Sequence, residues 1–316
     1  MSRRRVKDFP GLSESQPAYL VLHESGELER RATIALSHLE ECDLCPRYCR
    51  VNRRETVRGA FCRTGERAIV HSYGPHHGEE DPLRGRAGSG TIFFNRCNLR
   101  CIYCQNRDIS QKSSGRKVTH KQLAEMMLDL QEQGCHNINL VSPSHVVAQV
   151  MAALTIAARR GLRLPLVYNS GGYDSPEALA LLDGVVDIYM PDMKYGDSRT
   201  AHRYSRVKDY SETNQAAVRE MHRQVGDLVL DRRGVARRGL LVRHLVLPGG
   251  LAGTEEVMEF LSSEISRDTF LNLMDQYRPC FLADRYPPLD RSLTRQEFQA
   301  AVKSAARHGL RRLARV

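Results

Sequence analysis

The stretch Gly90-Thr-Ile-Phe-Phe-Asn-Arg-Cys97-Asn-Leu-Arg-Cys101-Ile-Tyr-Cys104-Gln-Asn106 decides how the rest of the chain is read. Its apolar run, Ile92 to Phe94, is short and continuous, which predicts a buried strand. The strand runs into a loop that carries Cys97, Cys101 and Cys104 in C-x3-C-x2-C spacing. Thiolates at such spacing can converge on one soft metal centre, and an iron–sulfur cluster takes one thiolate per iron. Three thiolates on a 4Fe–4S cluster leave the fourth iron open to a chelating ligand. A structural zinc site wants four ligands and tighter cysteine pairs. An open iron suits chemistry rather than electron storage.

Downstream of this stretch the pattern alternates strand and helix. Strands are expected at Thr91–Asn95, Asn137–Ser142, Leu164–Asn169, Val185–Pro191, Leu240–Leu247 and Phe270–Met274. Most are near-continuous apolar runs, as in parallel strands covered on both faces. Between them Leu123, Met126, Met127 and Leu130 recur at helical spacing, opened by Thr119 and Gln122 and stopped by Gly134. Val147, Val150, Met151 and Leu154 repeat that spacing, and Thr294 with Glu297 opens a last helix. A helix is also expected near Asn214–Val225 and a turn at Asp231–Gly234. The fold class is therefore α/β, with six β/α units.

Upstream, Glu27–Leu39 has helical periodicity and leads to a second thiol set, Cys42, Cys45, Cys49 and Cys62. Four ligands close a site, and either structural zinc or an auxiliary iron–sulfur cluster satisfies them. Small loop-rich modules need such a staple because they bury little core. We expect a disordered tail over residues 1–20, a four-cysteine metal-binding module over 21–85 and the α/β unit over 86–316. His71, His76, His77 and the run Gly78-Glu-Glu-Asp81 are expected in a polar connector near the mouth of the site, with metal binding the lesser alternative.

Composition narrows the class of function. Of 316 residues 41% are apolar and 27% charged, and no apolar run approaches the ~20 residues of a membrane helix. The basic start, Arg3 to Arg5, leads into no apolar segment, so a secretory signal is not expected and a cytoplasmic location is. Seven of nine cysteines fall in the two clusters, which reads as metal binding in a reducing compartment. The net charge of +10 gathers at the ends, including Arg307, Arg311, Arg312 and Arg315. Without aromatic interleaving this argues for a solvated surface rather than a nucleic-acid face.

The C-x3-C-x2-C loop after a strand, with Tyr103 before the last cysteine, resembles the radical S-adenosylmethionine (radical SAM) signature. The resemblance implies a partial (β/α)6 barrel, a 4Fe–4S cluster on Cys97, Cys101 and Cys104, and S-adenosylmethionine chelating the open iron. One electron then breaks the sulfonium bond, giving methionine and a 5′-deoxyadenosyl radical that abstracts hydrogen. It also implies a reductant such as flavodoxin or ferredoxin.

In such a barrel ligands meet the carboxyl ends of strands. The second strand ends Val141-Ser142-Pro-Ser-His145, where the family has a Gly-Gly-Glu-Pro-like segment for the methionyl amino group; this chain departs from it. Ser142, Ser144 and His145 offer polar groups there, or simply begin the next helix. The third strand ends Asn169-Ser170-Gly-Gly172, open to close approach by a ligand, or a plain loop turn. The fourth ends Asp192-Met-Lys194, similar to the Asp-x-Lys element of glycyl-radical activating enzymes. In the fifth, Arg243 and His244 alternate, one inward and one outward, and the resemblance favours Arg243 as the ligand of the S-adenosylmethionine carboxylate.

From about Leu28 to Tyr277 the chain resembles the PflX group, named for similarity to pyruvate formate-lyase activating enzymes. The motifs that carry this include Cys-Asp-Leu-Cys-Pro-Arg-Tyr-Cys (42–49), Val-Asp-Ile-Tyr-Met-Pro-Asp-Met-Lys-Tyr (186–195) and Val-Arg-His-Leu-Val-Leu-Pro (242–248). The implied activity is radical modification of a protein, with Lys194, Asp192 and His145 facing the reaction and Ser142, Asn169, Ser170 and Arg243 holding the cofactor. A radical enzyme acting on a small molecule or nucleic acid is the alternative. A non-catalytic iron–sulfur carrier has no use for an open iron.

Overall fold

The computed structural model describes residues 16–112 and 114–314. Most of the stretch expected as a tail lies outside them, as do Arg3 to Arg5 and Arg315. Nine strands are present among the described residues: β1 (Ala68–His76), β2 (Ser89–Phe94), β3 (Arg116–Val118), β4 (Ile138–Val141), β5 (Leu166–Ser170), β6 (Ile188–Pro191), β7 (Val229–Leu230), β8 (Ala236–Leu245) and β9 (Phe270–Met274). They form one sheet in the order β3-β1-β2-β4-β5-β6-β8-β7, with β9 on β8. β2, β4, β5, β6, β8 and β9 are successive parallel neighbours. These are the six expected strands, and they make a partial (β/α)6 barrel. β9 and β2, at the two ends of the parallel series, do not pair with each other.

The helices form where side-chain periodicity and caps agree. Thr119 accepts from the Gln122 amide while Gln122 caps Thr119 in return, opening His120–Glu132, and Gly134 ends that region at φ 81°. Thr294 and Glu297 make the same reciprocal pair before Arg295–Arg307. Pro165 delays the strand expected from Leu164, so β5 begins at Leu166. Val147–Arg159 is buried almost all round, because the upstream helix Glu27–Ser37 covers its outer side. Leu28, Ala32 and Ala35 of that helix share one core with Val150 and Leu154.

Two expectations need correction. Residues 71–90 are not all connector: β1 runs to His76 and pairs antiparallel with β2. Gly74 and Pro75 obscure its periodicity. Pro75 is tolerated because β3 covers only Ala68 to Val70, leaving the outer edge beyond unpaired. β1 also lies inside the stretch assigned to the upstream module, yet it belongs to the barrel sheet. The Ala18 amide and the Leu166 amide both donate to buried Asp187, at 2.8 Å each, tying the upstream chain to the barrel.

Inside the barrel, alternate side chains stack in layers. Val167, Ile188, Met190, Leu241 and partly buried Phe270 pack around Leu83, which plugs one end. Two residues further along, the same alternation brings in Asn169 after Val167, Arg243 after Leu241 and Asn272 after Phe270, while Asn139 lies in register with Val167. The change from apolar to polar marks where the site begins. No helix among the described residues is long and apolar enough to cross a membrane.

Candidate active site

Past the end of β6, Asp192 stays in register with Arg243 of β8 as a parallel bridge. Lys194 Nζ donates to Asp192 Oδ2 at 2.6 Å, and Arg243 Nε donates to Asp192 Oδ1 at 2.9 Å. Arg243 Nη2 also donates to Asn169 Oδ1 at 2.7 Å. Four residues singled out from strand ends thus form one network. His244 points the other way, donating from Nδ1 to the Met193 carbonyl at 2.6 Å with Thr254 Oγ1 on Nε2. Burial drives its pKa down to about 4, so it is neutral at pH 7.

The electrostatics of this network are lopsided. Burial raises the Asp192 carboxyl, but Arg243 and Lys194 outweigh it and hold the group below its ordinary range. Burial works against the Lys194 ammonium, yet Asp192 and then Cys101 keep it above its ordinary range. Lys194 and Arg243 share one carboxylate beside the cysteine loop, and Glu80 and Glu79 act on Arg243 as well. Two cations side by side suit an anionic ligand. Close approach is built into the turn after β5: at Gly172, φ 70°, an added Cβ would overlap the Asp192 carbonyl and the Asn214 amide.

The three-cysteine loop is docked by its neighbours. Asn98 Nδ2 donates to the Tyr173 carbonyl at 2.6 Å, the Ile102 amide to the Tyr204 carbonyl at 2.9 Å, and the Tyr103 ring packs edgewise on Tyr195 and Tyr277. Each sulfur meets a hydrogen-bonding group: the Leu99 amide at 3.3 Å from Cys97, Ser205 Oγ at 2.9 Å from Cys101 and Ser110 Oγ at 3.2 Å from Cys104. Burial pushes Cys97 up to about 12 and raises Cys101, with the Lys194 charge pulling against both. Three soft donors on one loop, each hydrogen-bonded, fit a cluster of anionic thiolates.

Three of the upstream thiols, Cys42, Cys45 and Cys62, gather about Arg53, which is 2% exposed and has no carboxylate partner among the described residues. Arg53 donates to the carbonyls of Thr64, Gly65 and His145 and, from Nη1, to Cys42 Sγ at 3.3 Å. Cys62, Cys42 and Cys45 act on its charge in that order, while the Phe61 amide donates to Cys49 Sγ at 3.3 Å. The two sets adjoin: Arg47 donates to the Asn98 carbonyl and lies over the Phe61 ring, with Arg100 on the same ring. Among the described residues no group of three or more Cys, His, Asp or Glu side chains is drawn in to the spacing of a single metal ion.

The remaining expected residues are placed differently. His145 is 1% exposed and donates from Nε2 to the Asn95 carbonyl at 3.1 Å, and burial drives it down to about 3. It braces two loops and does not join Asp192 and Lys194. Ser170 Oγ donates to Asp174 Oδ2 at 2.6 Å and accepts from the Gly172 amide, so its hydroxyl serves the turn rather than a cofactor. Ser142, in a left-handed conformation, meets Asn169 through its backbone amide and remains half-buried at the end of β4.

A cavity of about 1160 Å³ opens over the network, lined by Asn169, Arg243, Val141, Phe93, Asn272 and Glu79 among others. Glu79 and Glu80 come from the segment between β1 and β2, read in the sequence only as polar connector. Asn272 Nδ2 of β9 donates to Glu80 Oε1 at 2.9 Å. The signal for Asn139 and Asn272 was present: each is an amide inside an apolar strand at an inward position.

The radical SAM superfamily model matches residues 91–232. Over 293 residues the chain is 32% identical to the uncharacterized protein MJ0674 of Methanocaldococcus jannaschii, spanning 90% of this chain and 79% of that one. Among solved structures, TYW1 with a lysine-pyruvate adduct bound aligns at 12% identity and TM-score 0.43, covering 69% of this chain and 73% of that one. The cobalamin-dependent S-adenosylmethionine radical enzyme OxsB aligns at 16% identity and TM-score 0.38, covering 69% and 31%. The two structural likenesses are too distant to carry an argument. The sequence matches are not: the chain belongs to the radical SAM superfamily. It is a radical SAM enzyme, whose family implies a 4Fe–4S cluster and S-adenosylmethionine.

Proposed function

We propose that the protein is a radical SAM enzyme acting on another protein, in the manner of a glycyl-radical activating enzyme. When bound, the cluster and S-adenosylmethionine supply a 5′-deoxyadenosyl radical that removes hydrogen from the substrate. Cys97, Cys101 and Cys104 would hold the cluster, as their hydrogen-bonded sulfurs allow. Arg243 and Lys194, sharing Asp192, would bind the carboxylate of S-adenosylmethionine, with Asn169 and the Ser142 region at its amino end. The observation that carries the reading is this Asn169–Arg243–Asp192–Lys194 network beside the cysteine loop. The PflX resemblance of residues 186–195 and 242–248 supports the protein substrate.

The upstream cysteines Cys42, Cys45, Cys49 and Cys62 are assigned in this reading to a second centre, zinc or iron–sulfur. Support comes from Arg53: a buried guanidinium needs negative charge, and metal-bound thiolates provide it. The role of the Arg53 charge is to hold those thiolates ionised.

Deuterium transfer tests the substrate class. Holoenzyme, dithionite and S-adenosylmethionine are combined with deuterated extract from the source cells, separated into protein and small-molecule fractions. Deuterium in 5′-deoxyadenosine from the protein fraction is expected. Deuterium only from the small-molecule fraction would overturn the reading in favour of a metabolite.

A further inference from the structure

The cavity holds two carboxylates that the cofactor assignment leaves unused. The Glu79 side chain is only 8% exposed, and its nearest cation-forming neighbour, His76, stands 3.5 Å away with Nδ1 unbonded. Glu80 Oε2 is buried with no hydrogen-bond partner. Asn139, 0% exposed on β4, turns its amide N–H toward Glu79 and leaves its Oδ1 unpartnered. Arg243 pulls on Glu79 through space, but among the described residues its ion pair is with Asp192 and not with either glutamate. Buried carboxylates and an orphaned amide carbonyl facing one space call for a cation with several N–H donors.

We propose that Glu79 and Glu80, backed by Asn139, recognise a cationic group of the substrate: an alkylammonium or alkylguanidinium, as a lysine or arginine side chain carries. The inference rests on the reading of the chain as a substrate-modifying radical enzyme. Cavity size supports a second ligand, since about 1160 Å³ exceeds the ~300–1,000 Å³ typical of a single-ligand pocket. The lining supports an aliphatic stem, with Phe93, Ile109, Val141, Phe270 and Met274 around the acids.

The test uses holoenzyme saturated with S-adenosylmethionine at pH 8, where Glu79 is ionised; burial lifts it to about 7, against the pull of Arg243 and with the push of Glu80. Calorimetric titrations use n-butylammonium, Nα-acetyl-lysine methylamide and, as anionic control, n-butyrate. Both cations are expected to bind and butyrate not, and Glu79→Gln with Glu80→Gln weakens the cations at least tenfold. Tighter binding of the lysine derivative points to a protein source, and of butylammonium to a small amine. Equal cation binding by wild type and variant, or preference for butyrate, would overturn the proposal. So would loss of S-adenosylmethionine affinity in the variant, which would assign the carboxylates to the cofactor, or a Mn2+ site lost with them. Circular dichroism melts verify that the variant is folded. Failure of the underlying reading shows separately, as wild type that binds no S-adenosylmethionine.

Discussion

The two thiol sets are neighbours in space and opposites in setting. Of the upstream set, Cys42, Cys45 and Cys62 gather about a buried arginine whose other bonds go to backbone carbonyls. Cys97, Cys101 and Cys104 sit beside Lys194, which shares Asp192 with Arg243, a residue that lines a large cavity. In the proposed reading the first cation holds a closed centre and the second is available to a ligand. The same chemical pairing, sulfur beside a positive charge, would then serve structure in one place and binding in the other.

The sharpest way to break this contrast is to remove the enclosed charge. Arg53→Leu leaves ionised thiols without their counter-charge, and stability is expected to fall by about 3–5 kcal/mol. Metal analysis should show the upstream centre lost while iron on Cys97, Cys101 and Cys104 remains. Loss of both, or of neither, would erase the distinction. Next in size, Asp192→Asn sets Lys194 and Arg243 against each other as unshielded like charges. Equilibrium titration is expected to show S-adenosylmethionine affinity down by about 10- to 100-fold, or ~1.4–2.8 kcal/mol, with the upstream centre intact.

The smallest effect is one of pH. Glu79 stands near 7, above its unfolded value of 4.5, because of burial opposed by Arg243 and reinforced by Glu80. A raised carboxyl pKa stabilises the fold fully below 4.5, and that stabilisation is lost as pH rises through 7. Glu79→Gln should therefore raise the melting temperature relative to wild type by a few °C more at pH 8 than at pH 5. Scanning calorimetry at the two pH values checks it; an equal shift at both would place Glu79 in water.

Much of this was legible beforehand because it depends on short-range rules. Apolar runs gave the six parallel strands, reciprocal caps gave two helix starts, and alternation put one of Arg243 and His244 inward, with the family resemblance favouring Arg243. What was not legible depends on distant partners. A polar residue at a strand end faces a ligand or bonds its own loop, and no local pattern separates Asn169, which meets Arg243, from Ser170, which meets Asp174. His145 was in the same position. β1 was hidden by Gly74 and Pro75, and with it the reason that Glu79 and Glu80 enter the barrel. Arg53 carries no local sign, among so many arginines, that its partners are the upstream thiols.

The central claim is that the loop of Cys97, Cys101 and Cys104 carries the radical chemistry. The most direct measurement is release of 5′-deoxyadenosine by anaerobically reconstituted, reduced protein given S-adenosylmethionine, for wild type and Cys101→Ala. Release by wild type that disappears in Cys101→Ala is the predicted result. Equal release from the variant, or no binding of S-adenosylmethionine by wild type with its cluster intact, would contradict it.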